Sequence, residues 1–280
     1  MDRIRKVLRL YHASRVFAAA AMVSLLLAGG AVSASLVDDA AVRTTLLFLV
    51  GFGVLFALFM SFGVLYLGLR EHDRQIRSFI NLRPFYGSQL LRTDGWAADP
   101  HMLEGLVLLL QEKQPTAILE LGSGATTVVT AEFLRAQGKG RLISVDHEAR
   151  FAEATKAQLV ARGLEAYVDF VVAPLSKQTV DGREYNWYTA DWQKSIDRRI
   201  DFLVVDGPPA RLGANARHPA LPVLTPYLAP DCTIVLDDGN RRDERLMAAD
   251  WAATFKCTAR HAPFGKGIWV LERRPEYVYA

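Results

Sequence analysis

The residues able to do chemistry sit in a few short stretches of the 280-residue chain. In "ILELGSGATT" (118–127), Glu120 precedes Gly122 and Gly124, which lie one residue apart. Glycines so placed between an apolar run and a helix let backbone approach a ligand at a helix start. Asp146 ends "LISVD", Asp206 opens the turn of "VVDGPP", and Asp237 and Asp238 follow "CTIVL". Carboxylates gathered at one place serve as proton acceptors or as ligands for a hard cation. His218, in "NARHPALP", carries the side chain most often used as a general base.

The surrounding pattern explains how these residues would meet. Apolar strands are expected at Ala117–Leu121, Arg141–Val145, Val168–Val172, Phe202–Val205 and Thr233–Leu236, with "GIWVLER" as the last. Helices are expected near Thr126–Gln137, Ala149–Arg162, Leu221–Leu228 and Arg242–Thr254. Before them, Asp99 and Pro100 have the N-cap and first-turn chemistry of another helix, stopped by Pro115. Apolar strands alternating with helices predict an α/β fold, a Rossmann-like doubly wound and mostly parallel sheet. In such sheets ligands bind at the C-terminal strand edges, near the switch point. Glu120, Asp146, Asp206 and the pair Asp237–Asp238 all fall on those edges.

Two nucleotide cofactors compete for the glycine turn. The dinucleotide fingerprint wants a third glycine where this chain has Thr127, and it has no use for an acid facing a pyrophosphate. S-adenosylmethionine carries an ammonium and a sulfonium and no phosphate, so Glu120 favours it. Asp146 lies at the distance suited to ribose hydroxyls, which both cofactors share.

Over roughly Trp96–Arg273 the chain resembles the class I S-adenosylmethionine-dependent methyltransferases. "ELGSGATT", "SVDHE", "VVDGPP" and "VLDDGNR" stand, in order, where that family has its motifs after the first, second, fourth and fifth strands. A narrower likeness is to bacterial membrane-associated members with "VDGPP", "ARHPALPVL" and "DDGNRRDE". The resemblance implies cofactor contacts from Glu120, Gly122, Ser123, Gly124 and Asp206, with Asp146 on the ribose. It places His147 beside the adenine and Ala173–Leu175 closing over it.

Asp206, Asp237 and Asp238 end adjacent predicted strands, and three carboxylates together suit Mg²⁺, Mn²⁺ or Ca²⁺. In the metal-dependent O-methyltransferases of this class, an Asp after the fourth strand and an Asp-Asn after the fifth bind a divalent ion. Here the second pair is Asp-Asp. The alternative is that Asp238 caps the helix that follows while Asp237 pairs with Arg241 or Arg242. Asp206 is the leading catalytic candidate, as base or metal ligand, with Asp238 beside it and His218 as the other base. Trp96, Trp187 and Tyr188 are read as surface packing, with a lid over the substrate as the alternative.

Upstream, Val16–Val37 and Thr44–Leu69 contain no charge, and each is long enough to cross a hydrocarbon core of about 30 Å. Together they predict an all-α two-helix transmembrane hairpin over 16–69. A basic amphipathic segment (1–15) precedes it, and a juxtamembrane linker (70–95) leads to the methyltransferase-like domain (96–280). Arginines and Lys6 flank both outer ends, whereas the turn carries Asp38, Asp39 and Arg43, so both termini are expected in the cytosol at the inner membrane. A rival reading makes the first span a cleaved signal peptide; the second span would still run inward.

A net charge of +3, with both signs interspersed, gives no nucleic-acid footprint. Cys232 and Cys257 read as buried thiols. The reading is a membrane-anchored methyltransferase, O-methylating a small-molecule or lipid-linked envelope acceptor, with membrane lipids as its surroundings and S-adenosylmethionine plus a divalent cation as cofactors. Homo-oligomerisation is left open. The alternatives are a tethered scaffold or an NAD-dependent oxidoreductase.

Overall fold

The computed structural model describes residue 29, residues 39–85 and residues 98–273. The basic segment (1–15), the first predicted span apart from residue 29, and Trp96 lie outside those residues. The chain divides into two compact units, Met1–Arg74 and Gln75–Ala280.

In the first unit, helix α1 (Ala40–Asn81) begins where Asp39 Oδ1 accepts from the backbone N–H groups of Ala41 and Val42. It is long and apolar enough to cross a membrane by length and composition, with mean hydropathy 2.4 over its most apolar window. Phe48, Leu49, Leu58, Val64 and Leu65 are all exposed and point to different sides at 100° per residue, so its apolar surface runs round the whole helix rather than along one stripe. The helix continues past Leu69 to Asn81, through what the sequence suggests is linker.

The second unit is built on a seven-stranded sheet ordered β3-β2-β1-β6-β7-β9-β8. Its parallel strands are β1 (Ala117–Leu121), β2 (Arg141–Asp146), β3 (Val168–Val172), β6 (Ile200–Val205) and β7 (Leu228–Leu236). Strands β8 (Cys257–Ala262) and β9 (Ile268–Arg273) close one edge antiparallel. Strand order reverses between β1 and β6, and their C-terminal ends therefore flank the crevice where such sheets bind ligands.

Alternate residues of each strand feed opposite faces. Ile118, Leu142, Phe202 and Val204 join one core with helices α2 (Pro100–Lys113), α3 (Ala125–Gln137) and α4 (Ala149–Val160). Leu119, Leu121, Val145 and Val205 join another with the short helices α5 (Trp192–Ser195) and α6 (Ala220–Leu224), and with α7 (Arg242–Thr254). Asp99 caps α2 as expected, accepting from Met102 N at 2.9 Å with Pro100 at the first helical position. Glu104 of α2 accepts from Ser78 Oγ at 2.5 Å and from Asn81 Nδ2 at 2.6 Å, all three residues lying within this unit.

Several elements depart from expectation, two of them beside the crevice. The helix expected over Leu221–Leu228 stops at Leu224, because Pro226 has no N–H to continue it, and Leu228 already belongs to β7. A two-stranded hairpin, β4 (Leu175–Val180) with β5 (Arg183–Tyr188), stands where no element is expected. Its turn is Asp181–Gly182, at φ 50° and 74°, the left-handed pair a two-residue hairpin loop requires.

Candidate active site

Glu120 sits one residue before the end of β1, directly in register with Ser144 of β2. It shares the strand face of Ile118 and so points beneath α3, fully buried. Its Oε2 accepts from Thr127 Oγ1 at 2.5 Å and from Ser144 Oγ at 2.9 Å. Burial pushes this carboxyl up to about 7, against the hydroxyls of Thr126, Thr127 and Ser144, which favour its charged form. Among the described residues Oε1 has no hydrogen-bond partner.

The turn above Glu120 is tied to neighbouring strand ends. Gly122, at φ 105°, donates to Val145 O at 2.8 Å. A Cβ there would stand 3.4 Å from the Asp206 and Gly207 backbone, on top of an already left-handed conformation. Ser123 N donates to Asp146 Oδ2 at 2.9 Å, and Ser123 Oγ lies 2.8 Å from Ser144 Oγ. Gly124 differs: its φ of 175° suits any residue, and a Cβ would meet nothing within 4 Å among the described residues. What glycine provides there is clearance at the start of α3, where backbone N–H groups lack intrahelical acceptors.

Asp146 uses its other oxygen, Oδ1, to accept from Glu148 N at 2.9 Å. His147 lies between Asp146 and Glu148, with a ring nitrogen 3.4 Å from each carboxylate, and meets the edge of Tyr188 at 6.3 Å. Ala173 is fully buried and donates its N–H to Asp146 O at 2.8 Å. Trp187 and Tyr188 are not surface packing: β5 folds them into the core, 0% and 1% exposed. The Tyr188 hydroxyl has no partner among the described residues, and a Cβ on Gly207 would lie 2.2 Å from it.

Across the crevice, Val205 of β6 is in register with Leu236 of β7, so the residues that follow end level. Asp206, Asp237 and Asp238 therefore meet, with a ligand oxygen from each lying within 4.8 Å of the others. Between them stands Arg217, 3% exposed. Its Nη2 donates to Asp206 O and Asp238 Oδ2, each at 2.9 Å, and to Asp206 Oδ1 at 3.1 Å; its Nη1 donates to Asp237 O at 2.9 Å. Arg241 Nη1 reaches the same Asp238 oxygen at 2.8 Å. Desolvation and the adjacent Asp237 hold the Asp206 carboxyl well above the usual carboxylate range. Desolvation and Asp238 raise Asp237 as well.

Asp238 adopts φ 59°, and α7 takes Arg241 rather than Asp238 as its N-cap. The loop is held from the β8–β9 turn: Gly239 N donates to Gly267 O at 2.6 Å, and Trp269 Nε1 to Gly239 O at 3.0 Å. His218 turns to α7 instead of joining the acids. Its Nε2 lies 3.0 Å from Asp250 Oδ2 and its ring stacks on Tyr185 at 5.6 Å.

Sequence reasoning misses Arg217 here, and it leaves Tyr188 on the surface. The signal for Arg217 is electrostatic: carboxylates crowded at adjacent strand ends need a buried cation, and Arg217 lies on the segment between those strands. The signal for Tyr188 is the "VDGR" turn, whose Asp-Gly pair marks a hairpin. A separate hollow of ≈ 310 Å³, lined by Ala117, Arg141, Asp169, Asp197 and Arg198, lies at the N-terminal strand ends. Of its charges, Arg141 pairs with Asp169 and Arg198 with Asp197 within the lining, and Lys194 pairs with Asp191 beside it.

The segment that carries both sides of the crevice, residues 119–239, matches the family model described as "Methyltransferase domain". Over those residues the chain is similar to methyltransferase domains. Among solved structures, the SAH-bound methyltransferase PaMTH1 of Podospora anserina is similar at 12% identity and TM-score 0.51, covering 72% of this chain and 88% of that one. The O-methyltransferase TomG of Streptomyces achromogenes, in complex with SAM, is similar at 17% identity and TM-score 0.45, covering 72% and 90%. At 12% identity the likeness to the Podospora structure is one of fold. No curated protein sequence matches the chain. The methyltransferase domain thus places its glycine turn and its acid cluster on opposite sides of one switch point.

Proposed function

We propose that this methyltransferase is anchored in the inner membrane with its domain in the cytosol, and O-methylates an acceptor held at the membrane, a small amphipathic molecule or a lipid-linked envelope precursor. The observation that carries the reading is the pairing, in one chain, of a methyltransferase domain with a helix whose large apolar side chains are exposed all round. Such a surface is stable against lipid and untenable against water.

The cofactor supplies a methyl group on a sulfonium. Glu120 offers its unshared oxygen toward the cationic end, and Gly122, Ser123 and Gly124 provide the close backbone. Asp146 and His147 take the ribose and adenine side, next to Ala173. The clearance at Gly124 and the start of α3 support this seating.

A hydroxyl acceptor must lose its proton as it attacks, so a carboxyl at the crevice is the fitting base. Asp206 is the most accessible of the three acids, its side chain 22% exposed against 7% for Asp238. A raised carboxyl is the stronger base once ionised. Asp238 orients it through their shared Arg217. His218, already engaged by Asp250, is the weaker candidate.

The test uses the full-length protein in detergent, titrated with S-adenosylhomocysteine by calorimetry, then given methyl-labelled S-adenosylmethionine and inverted membrane vesicles. Binding with label in an alkali-stable, lipid-extractable methyl ether is the expected result. Label that enters only soluble acceptors, with turnover unchanged by deletion of residues 1–69, overturns the membrane assignment.

A further inference from the structure

The cluster at the ends of β6 and β7 has the donor chemistry of a divalent-cation site, because a hard cation wants carboxylate and carbonyl oxygens. The same oxygens are already spoken for. Arg217 gives hydrogen bonds to the carbonyls of Asp206 and Asp237, and to carboxylate oxygens of Asp206 and Asp238. Arg241 shares the Asp238 oxygen, and Glu244 Oε1 stands 3.8 Å from Arg217 Nη1.

We propose that Arg217 is the resident cation of this cluster, holding the acids that end β6 and β7 where related chemistry would use a metal ion. A guanidinium suits the task because its planar fork reaches two strand ends at once, and it stays charged at any pH the protein meets. The surrounding acids reinforce that charge: burial alone would lower Arg217, and Asp206, Asp238, Asp237 and Glu244 more than offset it. A divalent ion entering the cluster would meet this guanidinium head on. It would have to expel a side chain that is 4% exposed and break its bonds to both carbonyls. The residues therefore do not fit a metal while Arg217 is in place. Arg217 acts as a positioning residue, aligning Asp206 through contacts to both its carbonyl and its carboxyl. The meaning of that alignment rests on the methyltransferase reading; the assignment of the cation does not.

The experiment follows thermal unfolding of the full-length detergent-solubilised protein with EDTA, with ~1 mM Mn²⁺ and with S-adenosylhomocysteine, where ligand stabilisation reads affinity directly. Wild type is expected to be indifferent to Mn²⁺ and EDTA. Arg217→Met should melt lower and gain a Mn²⁺-dependent upward shift, which Asp238→Asn added to it removes. Arg217→Lys should restore part of the stability and the indifference to metal. Direct Mn²⁺ binding to wild type, read by electron paramagnetic resonance, covers the case in which Arg217→Met does not fold. A wild-type midpoint raised by Mn²⁺ and lost with Asp238→Asn overturns the proposal, as does tight Mn²⁺ binding by wild type or an Arg217→Met protein that folds and ignores metal. Loss of the S-adenosylhomocysteine shift in wild type, with metal indifference intact, would count against the methyltransferase reading alone.

Discussion

Thr127 Oγ1 donates to Glu120 Oε2 at 2.5 Å while accepting from Gly124 N at 2.9 Å. One hydroxyl thus joins the first backbone donor of α3 to a carboxylate buried under it. Thr127 is not merely a glycine missing from a dinucleotide fingerprint; it couples the shape of the turn to the charge of the acid. Thr127→Val keeps the volume and removes both bonds. It is expected to lower unfolding free energy by about 1–3 kcal/mol and to weaken S-adenosylhomocysteine binding about tenfold, with Thr127→Ser close to wild type. Denaturant unfolding and calorimetry check it.

Glu120 gives the domain a pH dependence with a definite sign. Burial pushes its carboxyl up to about 7 in the folded state, from an ordinary value of 4.5. The folded state therefore binds the extra proton between those values, and stability is full below the lower one and lost as pH rises through the upper. The loss amounts to about 3 kcal/mol. Unfolding measured across that range should show the decline in wild type and a flatter profile in Glu120→Gln. A cationic ligand favours the ionised acid, so S-adenosylmethionine binding should strengthen over the same rise and lose that dependence in Glu120→Gln.

Tyr188 and Gly207 should be energetically coupled. Alanine at 207 would place its Cβ 2.2 Å from the tyrosine hydroxyl, which must then move. Gly207→Ala is expected to cost about 1–3 kcal/mol as an overpacked site. Tyr188→Phe should raise stability by about 1 kcal/mol, since it removes a buried hydroxyl without a partner among the described residues. The double variant should recover part of the Gly207→Ala loss, a coupling that a double-mutant cycle reads.

The apolar helix has a separate test. Full-length protein should stay in the membrane pellet after an alkaline carbonate wash. In a protein that lacks residues 1–38, replacing Phe52, Phe56 and Phe59 by lysine should release it, because each buried charge at mid-bilayer costs about 2.5–3.5 kcal/mol.

Much of this architecture was legible from local signals. Strands β1, β2 and β3 and the cap at Asp99 follow from apolar runs and first-turn chemistry, which depend on neighbours in the chain. Even the pairing of Glu120 with Ser144 had a trace, because each is a polar residue in an otherwise apolar buried strand. The β4–β5 hairpin was missed although Asp181–Gly182 announced it, since its flanks "LSKQTV" and "REYNWY" alternate too weakly to read as strands.

The sequence by itself determined that acids would end the central strands and that a glycine turn would open a helix beside them. Only the tertiary structure decided what those acids face. Arg217 reaches Asp206 and Asp238 from a connecting segment, and Tyr188 reaches Gly207 from a hairpin laid over the opposite core. Those partnerships arise from desolvation: a charge or hydroxyl taken out of water must settle against whatever the fold brings near, and that nearness is set across loops rather than along the chain.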